Sequence, residues 1–311
     1  MNLENRAKGC LLGLACGDAV GATLEFIPRS QIAEPLTDMV GGGVWQLNRG
    51  EWTDDTSMAL CLADSLLACQ SFDAQDQLFR YLRWATEGYN SVRQGQPAFD
   101  IGNHTRNELT DFQQTGRSYS KDDDPNKAGN GSLMRIAPIS LFYFHQPENI
   151  KRYAVLNSKT THASPACLEA CGYFAELLAN ALRGKEKTVI FDGFEPNDYQ
   201  HIAHIVRGDY QSKNADEIKG SGYVVESLEA ALWAFWHTDN FREAILLAAN
   251  LGDDADTTAA ICGQIAGAFY GVENIPENWL KWLYRQEDIA QIAERLIAHR
   301  GGGKCACGCG I

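Results

Sequence analysis

Apolar residues recur along most of the chain at the three- and four-residue spacing of an α-helix. Residues 5–20 place Cys10, Leu11 and Leu14 on one helical face, and residues 223–238 and 241–251 are strongly apolar with the same period. The sequence contains no convincing alternation of apolar and polar residues over the length of a strand. The pattern therefore predicts an all-α protein. We expect a single compact helical domain over residues 1–300, with a cleft lined by loops at helix ends.

Two further segments and a row of glycines refine this picture. Residues 73–95 and 161–184 are predicted to be helical, and Pro165 suits the first position of the second helix. The N-terminal helical segment that begins at residue 5 carries a glycine at every fourth position: Gly9, Gly13, Gly17 and Gly21. Glycine weakens a helix, so its repetition indicates that another helix or a ligand approaches this ridge closely.

Composition narrows the class of protein. The 311 residues are 45% hydrophobic and 22% charged, with a net charge of −13, which argues against a general nucleic-acid binder. No segment approaches eighteen consecutive apolar residues, and the apolar start is interrupted by Asp18, so we predict neither a membrane span nor a signal peptide. Seven of the ten cysteines fall in small or apolar helical stretches, as in reduced cytoplasmic proteins. We expect a monomer located in the cytoplasm.

The last eleven residues differ from the rest of the chain. Residues 301–311 read GGGKCACGCGI and place cysteines at alternate positions, Cys305, Cys307 and Cys309. Such a segment could bind a soft metal or carry reactive thiols. The simpler interpretation is a flexible tail outside the domain.

Two acidic motifs carry the most specific chemistry. Residues 252–258, GDDADTT, lie between two predicted helices, and residues 53–56, TDDT, precede another. Alone, the second motif is explained as a helix start with Thr53 as its N-cap. Together the motifs offer only oxygen ligands, which suit Mg²⁺ or Mn²⁺, and their charges would repel one another strongly without cations. We predict two divalent cations about 3.5–4 Å apart, bound by Thr53, Asp54, Asp55, Asp254, Asp256 and Thr257.

Other polar residues are ambiguous when each is taken alone. Asp18 and Glu25 have the pattern of solvated loop residues, and Asp100 that of a helix cap, although beside a metal Asp100 could act as a base. Residues 129–135, GNGSLMR, combine glycines, a hydroxyl and a predicted helix start whose amides could hold an anion. His162 precedes a predicted helix, where a lone histidine is more often structural than functional.

Six motifs in order resemble one family. They are GCLLGLACGDAVGATLEF, GEWTDDTSMAL, FDIGNHTRNEL, GNGSLMRIAPI, THASPACLEA and NLGDDADTTAAICGQIAGAFYG. From about residue 5 to residue 272 the chain is similar to the ADP-ribosylglycohydrolases, typified by the dinitrogenase reductase-activating glycohydrolases. The resemblance implies an all-helical fold and a binuclear magnesium or manganese centre on the floor of an active-site cleft. It also implies removal of ADP-ribose from modified protein side chains, often arginine.

The resemblance assigns roles to individual residues. The six predicted metal ligands match the family's ligands, Glu25 matches an acid close to the metals, and Asp100 lies where bacterial arginine-specific members place a catalytic acid. The expected contacts to the ADP-ribose group are Asn130, Gly131, Ser132, His162 and Asn103. The family often has Gly-Gly-Asp where this chain has Gly-Asp-Asp, so Asp253 is an additional charge without an assigned role.

The expected reaction is hydrolysis of an N-glycosidic bond, with an ADP-ribosylated protein as substrate and ADP-ribose as product. Asp100 or Glu25 would be the general base. The alternatives are an O-linked serine or small-molecule conjugate as substrate, or a relative that binds ADP-ribose without turnover. A third alternative is a phosphatase, because residues 254–258 also fit Asp-x-Asp-x-Thr, but that motif requires a β-strand before it.

Overall fold

The fold is built from helices throughout. A computed structural model describes residues 1–300, and within them it has thirteen α-helices and no strand, as the apolar pattern predicts. The helices are α1 Leu3–Gly21, α2 Asp54–Cys69, α3 Ala74–Glu87, α4 Asn103–Thr115, α5 Ala137–Phe142, α6 Pro147–Lys159, α7 Pro165–Leu182, α8 Ala203–Val206, α9 Val224–Trp236, α10 Phe241–Ala249, α11 Ala255–Tyr270, α12 Glu277–Trp282 and α13 Gln286–Ile297. The predicted tail with its three cysteines lies outside the described residues.

The antiparallel pair of α1 and α11 lies at the centre of the molecule. A Cβ atom placed on Gly13 would lie 2.3 Å from the carbonyl oxygen of Gly263, and one on Gly263 would lie 2.0 Å from that of Gly13. Gly9 and Gly267 face each other in the same way. The glycine ridge predicted from the sequence is therefore a helix–helix contact between backbones. It fixes the C-terminal end of α1 beside the N-terminal end of α11.

Other helices enclose this pair. Helices α9, α10 and α13 pack against α1 or α11, and α2 and α7 complete the surroundings. From Gly9 onward α1 is buried on all sides, as is α11 over most of its length. The apolar side chains form one continuous core, so the described residues behave as a single domain.

Several helix bounds differ from those predicted. The helix predicted over residues 73–95 ends at Glu87, because Gly88 turns the chain with a φ of +67°. The helix predicted over residues 161–184 has Pro165 at its first position, as predicted, and it ends at Leu182. The helix expected to start inside GNGSLMR begins only at Ala137 with Pro138 in its first turn, and residues 131–135 form a turn.

The burial of the cysteines and the lengths of the apolar helices agree with the expectations from composition. Of the cysteines within residues 1–300, six are buried, which agrees with their predicted role as small hydrophobic residues: Cys10, Cys16, Cys61, Cys167, Cys171 and Cys262. Within residues 1–300 no helix is both long and apolar enough to cross a membrane.

Candidate active site

The two acidic motifs meet where the N-terminal ends of α2 and α11 come together. Asp55, Asp256 and Asp18 each place a carboxylate oxygen within 4.8 Å of the others. The Thr53 hydroxyl lies 3.4 Å from Asp55 Oδ2 and 3.3 Å from Asp256 Oδ2, and the Thr257 hydroxyl lies 3.3 Å from Asp55 Oδ2. Residues far apart in the sequence therefore form one buried oxygen cluster.

Asp18 is a central member of this cluster, and its interpretation as a solvated loop residue is wrong. It lies within α1 and is fully buried. Its Oδ1 accepts hydrogen bonds from the Thr53 amide at 2.9 Å and the Thr53 hydroxyl at 2.8 Å. Its Oδ2 accepts from the Thr56 amide at 3.0 Å and the Thr56 hydroxyl at 2.6 Å. Asp18 thus caps α2 from another helix, while the Thr53 side chain makes no capping bond to its own helix.

The cluster is suited to a metal ion. Burial raises the pKa of Asp18, Asp55 and Asp256, and the neighbouring carboxylates raise the pKa of Asp55 and Asp256 further. Asp55 Oδ1 is buried and has no hydrogen-bond partner within the described residues, as expected of an oxygen that serves as a ligand. The donors are carboxylate and hydroxyl oxygens only, which favours a hard cation over zinc or copper.

A cleft of about 720 Å³ opens above this cluster. Most of the predicted site residues line it, namely Glu25, Asp54, Asp100, Asn103, Asn130, Gly131, His162, Asp254, Asp256 and Thr257. Thr53 and Asp55 are buried beneath its floor. Loops at helix ends therefore form the cleft, as predicted.

Glu25 is held on one wall of the cleft and is not a solvated loop residue. It is 7% exposed, and its Oε2 accepts a hydrogen bond of 2.5 Å from Trp45 Nε1. Burial raises the pKa of Glu25 to about 7, the Trp45 hydrogen bond opposes this rise, and the negative charge of Asp254 adds to it. A carboxyl group with such a pKa suits proton transfer near neutral pH.

Asp100 is the second acid of the cleft. Both of its carboxylate oxygens are buried without a hydrogen-bond partner in the described chain, and burial raises its pKa well above the ordinary value. Its interpretation as a simple helix cap is wrong, because Gly102 occupies the N-cap of α4. Asn103, the first residue of α4, is exposed at the cleft.

The GNGSLMR motif reaches the cleft through only part of its length. Asn130 Nδ2 donates to Asp254 Oδ2 at 2.6 Å and to the Ser227 hydroxyl at 2.8 Å, which joins this loop to the second acidic motif. Ser132, which was predicted to contact the ligand, is not among the residues that line the cleft. Ser132 is fully buried, with its hydroxyl 2.8 Å from the Ser158 hydroxyl in the core.

Some of the backbone amides that were expected to hold an anion already donate hydrogen bonds within the protein. The N–H groups of Leu133 and Met134 donate to the Asn130 carbonyl at 2.9 and 3.1 Å. This turn replaces the predicted helix start, so a ligand would meet the glycine backbone at residues 129–131 instead.

Comparison with known proteins agrees with this geometry. The family model described as ADP-ribosylglycohydrolase matches residues 1–305. The chain belongs to the ADP-ribosylglycohydrolase family. It is 45% identical over 293 residues to ADP-ribosylarginine hydrolase Tri1 of Serratia proteamaculans (strain 568), covering 94% of this chain and 79% of that protein. It is 31% identical over 310 residues to the ADP-ribosyl-[dinitrogen reductase] glycohydrolase of Rhodospirillum rubrum, covering 96% of this chain and 98% of the relative.

A solved structure supports the same assignment. It is described as an ADP-ribosylglycohydrolase-related protein complex and superposes with a TM-score of 0.85 at 39% identity, covering 96% of this chain and 99% of that one. This ADP-ribosylglycohydrolase is therefore an all-α enzyme that hydrolyses a glycosidic bond. The phosphatase alternative fails because helix α10, not a β-strand, precedes residues 254–258.

Asp253 lies at the edge of the cleft of this ADP-ribosylglycohydrolase. It is exposed, adopts a φ of +54°, and donates its amide to the Ile27 carbonyl at 2.8 Å. Its carbonyl accepts from the Phe26 amide at 2.7 Å. The backbone of Asp253 therefore ties the loop after α1 to the second acidic motif, and nothing in the structure gives its carboxylate a role.

Proposed function

We propose that this protein releases ADP-ribose from ADP-ribosyl-arginine on modified proteins by hydrolysis of the N-glycosidic bond. The observation that carries the proposal is the meeting of the buried aspartate cluster with two further acids, Glu25 and Asp100, in a single cleft. The guanidinium of the bound substrate is cationic, and a cleft lined by carboxylates complements its charge. The names of the two relatives, which refer to ADP-ribosylarginine and to ADP-ribosylated dinitrogen reductase, support the same substrate class.

Two divalent cations, Mg²⁺ or Mn²⁺, complete the proposed site. The residues that would hold them are Thr53, Asp54, Asp55, Asp254, Asp256 and Thr257. When bound, such ions offset the mutual repulsion of the carboxylates and polarise oxygen atoms of the substrate. Asp18 fixes the Thr53 hydroxyl and amide by hydrogen bonds, so that this ligand is held in place before any cation binds.

The remaining residues of the cleft bind and orient the substrate. The glycine backbone at residues 129–131 allows the phosphates of ADP-ribose to approach closely, with His162 beside this loop in the cleft. Asn130 is fixed to Asp254, so the phosphate-facing loop and the proposed metal site keep a constant separation. Asn103 is an exposed residue that lines the same cleft.

Glu25 and Asp100 are the two candidates for the general base. Glu25 is held by Trp45 and has a pKa of about 7, whereas Asp100 offers two carboxylate oxygens without hydrogen-bond partners in the described chain. The carboxylate that does not accept the proton would face the cationic guanidinium of the bound substrate and orient it. When the C1–N bond breaks, its electron pair goes to the nitrogen, so the group leaves as a neutral guanidine that then takes up a proton.

Incubation with proteins ADP-ribosylated on arginine or on serine, with and without EDTA, tests the proposal. We expect release of ADP-ribose from the arginine conjugate that EDTA abolishes and that Mg²⁺ or Mn²⁺ restores. Release from serine alone would contradict the linkage, and release unaffected by EDTA would contradict the metal centre. Tight binding of ADP-ribose with no release from either protein would contradict the hydrolytic function.

The buried cysteine side chains also support a cytoplasmic location for this reaction, because thiols packed as hydrophobic residues are typical of reducing compartments.

A further inference from the structure

A buried arginine lies directly beneath the loop at residues 129–131. Arg135 is fully buried, and within residues 1–300 it forms no ion pair with a carboxylate. Its Nη1 donates to the Gly131 carbonyl at 3.0 Å, its Nη2 donates to the Thr161 hydroxyl at 2.8 Å, and its guanidinium lies 4.6 Å from the centre of the Tyr81 ring. A buried charge without a counter-ion lowers the stability of the folded protein, so its position next to the cleft indicates a role in the site.

The hydrogen bonds that Arg135 donates determine the direction of the hydrogen bond between Thr161 and His162. Arginine can only donate, so the Thr161 oxygen is the acceptor of the bond from Nη2. Thr161 is fully buried, and within the described chain the one acceptor for its hydroxyl proton is His162 Nδ1, at 2.8 Å. If Nδ1 carried a proton instead, the hydroxyl proton of Thr161 would be buried without a partner. Nδ1 is therefore the acceptor, and the imidazole proton is on Nε2.

The Nε2 atom of His162 lies against the glycine loop. A Cβ atom on Gly131 would lie 3.2 Å from Nε2, and one on Gly129 would lie 3.4 Å from it. His162 lines the cleft, and no hydrogen bond joins Nε2 to any other described residue. Its N–H group is thus available to an acceptor atom of a ligand lying on the loop.

The charge state of the ring agrees with this arrangement. Burial lowers the pKa of His162 well below its ordinary value, and the positive charge of Arg135 and the nearby His104 lower it further. The imidazole is neutral at physiological pH and keeps a single donor.

We propose that Arg135 and Thr161 are positioning residues that hold His162 as a neutral Nε2–H donor to an oxygen of the ADP-ribose diphosphate. The proposal rests on the proposed function for the identity of the ligand, but the tautomer follows from the protein alone. Arg135 has a second effect, because its charge beneath the loop creates a positive potential where the diphosphate would lie.

The hydrogen bonds that run from Arg135 through Thr161 to His162 form a relay. Replacement of the Thr161 hydroxyl tests this relay. Nitrogen-15 NMR of the histidine rings in the wild-type protein should show His162 with its proton on Nε2. In Thr161→Val this tautomer should no longer dominate, and the Kd for ADP-ribose, measured by calorimetry with Mg²⁺ present, should rise about five- to tenfold. Thr161→Ser, which keeps the hydroxyl, should restore both the spectrum and the affinity.

Kinetics should separate positioning from general damage. The bond is made to bound substrate and transition state alike, so Thr161→Val should raise KM with little change in kcat. Thr238→Val is the matched control, because Thr238 is also buried but its hydroxyl bonds to the Ala234 carbonyl. This variant should bind ADP-ribose as the wild type does.

Two results would overturn the relay. One is a wild-type spectrum with the proton on Nδ1, which decides the matter even if Thr161→Val does not fold. The other is a folded Thr161→Val protein that binds ADP-ribose as tightly as the wild type. Absence of ADP-ribose binding by the wild-type protein would instead contradict the proposed function, so the two failures are distinguishable.

Discussion

At the scale of single residues, Asp18 shows how much one buried carboxylate can organise. Its two oxygens accept four hydrogen bonds from Thr53 and Thr56 at the start of α2, and so they orient the Thr53 hydroxyl toward Asp55 and Asp256. Asp18 is already saturated with donors, whereas Asp55 has an oxygen without one. We infer that Asp18 positions the metal ligands and that Asp55 is itself a ligand.

Asp18→Ala should therefore weaken metal binding without removing a ligand. We expect the Kd for Mn²⁺ to rise about 10- to 100-fold, as is typical when a residue supporting a ligand is lost. Isothermal titration calorimetry measures this change. The control is Asp64→Ala, because Asp64 is another α2 acid with two donors, Tyr89 and Asn90, that belong to neither acidic motif. Equal Mn²⁺ affinity in Asp18→Ala and the wild type would rule out the positioning role.

The roles of the two cleft acids are separable by substitutions that keep their shape. Glu25→Gln and Asp100→Asn each remove a proton acceptor while preserving the size of the side chain. The variant that lacks the base should lose about 10²- to 10⁴-fold in kcat and still bind ADP-ribose. Single-turnover rates on an arginine conjugate measure this loss. If both variants kept the wild-type rate, neither acid would be the base.

Most residues of the cleft could be predicted from the sequence, but the buried residues that hold them in place could not. Two compact acidic motifs at helix starts are recognisable because a site for hard cations needs several oxygens close together. Asp18 could not be recognised, since it lies in an apolar helix and its partners are more than thirty residues away. The direction of the Ser132 side chain likewise depends on core packing that a local motif does not specify.

At the scale of elements, the contact between α1 and α11 brings Asp18, near the end of α1, next to Asp256, near the start of α11. Gly13→Ala should destabilise the protein by about 3 kcal/mol or more, because the new Cβ would overlap the Gly263 carbonyl and force the helices apart. Chemical denaturation measures this change.

Gly172→Ala provides the comparison for Gly13→Ala. Gly172 lies inside α7, and a Cβ there would lie 3.3 Å from Lys151 Cγ and 3.4 Å from Val155 Cγ2, which are side-chain atoms that can shift by a few tenths of an ångström. Alanine should therefore be neutral or stabilise by up to about 1 kcal/mol, as expected in a helix interior. Similar losses in both variants would mean that the close contact between α1 and α11 is not what Gly13 provides.

The helices themselves were predictable where the apolar period was long. Segments such as α9 and α10 have bounds close to those predicted, because burial of one face imposes the period. Errors arose at ends set by backbone conformation, as at Gly88, and in the short helix α5, whose start depends on Pro138. Local sequence carries little information about such ends.

At the scale of the whole molecule, the buried carboxylates couple stability to pH and to cations. Burial raises the pKa of Asp18, Asp55 and Asp256 in the folded protein. The folded protein therefore retains protons that the unfolded chain releases near its aspartate pKa of about 3.9. By linkage, the contribution of these groups to stability is greatest below that pKa and declines as the pH rises through the folded values.

The thermal stability of EDTA-treated protein should consequently fall as the pH rises from 5 to 8, a range that includes the Glu25 pKa of about 7. Saturating Mg²⁺ or Mn²⁺ should raise the Tm more at pH 8 than at pH 5. At the higher pH the cation neutralises carboxylates that would otherwise repel, while at the lower pH it must displace protons. Differential scanning calorimetry at both pH values measures the two increments. Asp256→Asn removes one of these charges and one proposed ligand, so it should reduce both the pH dependence and the gain from the cation. An increment from the cation that is no larger at pH 8 than at pH 5 would show that the buried carboxylates are not its binding site.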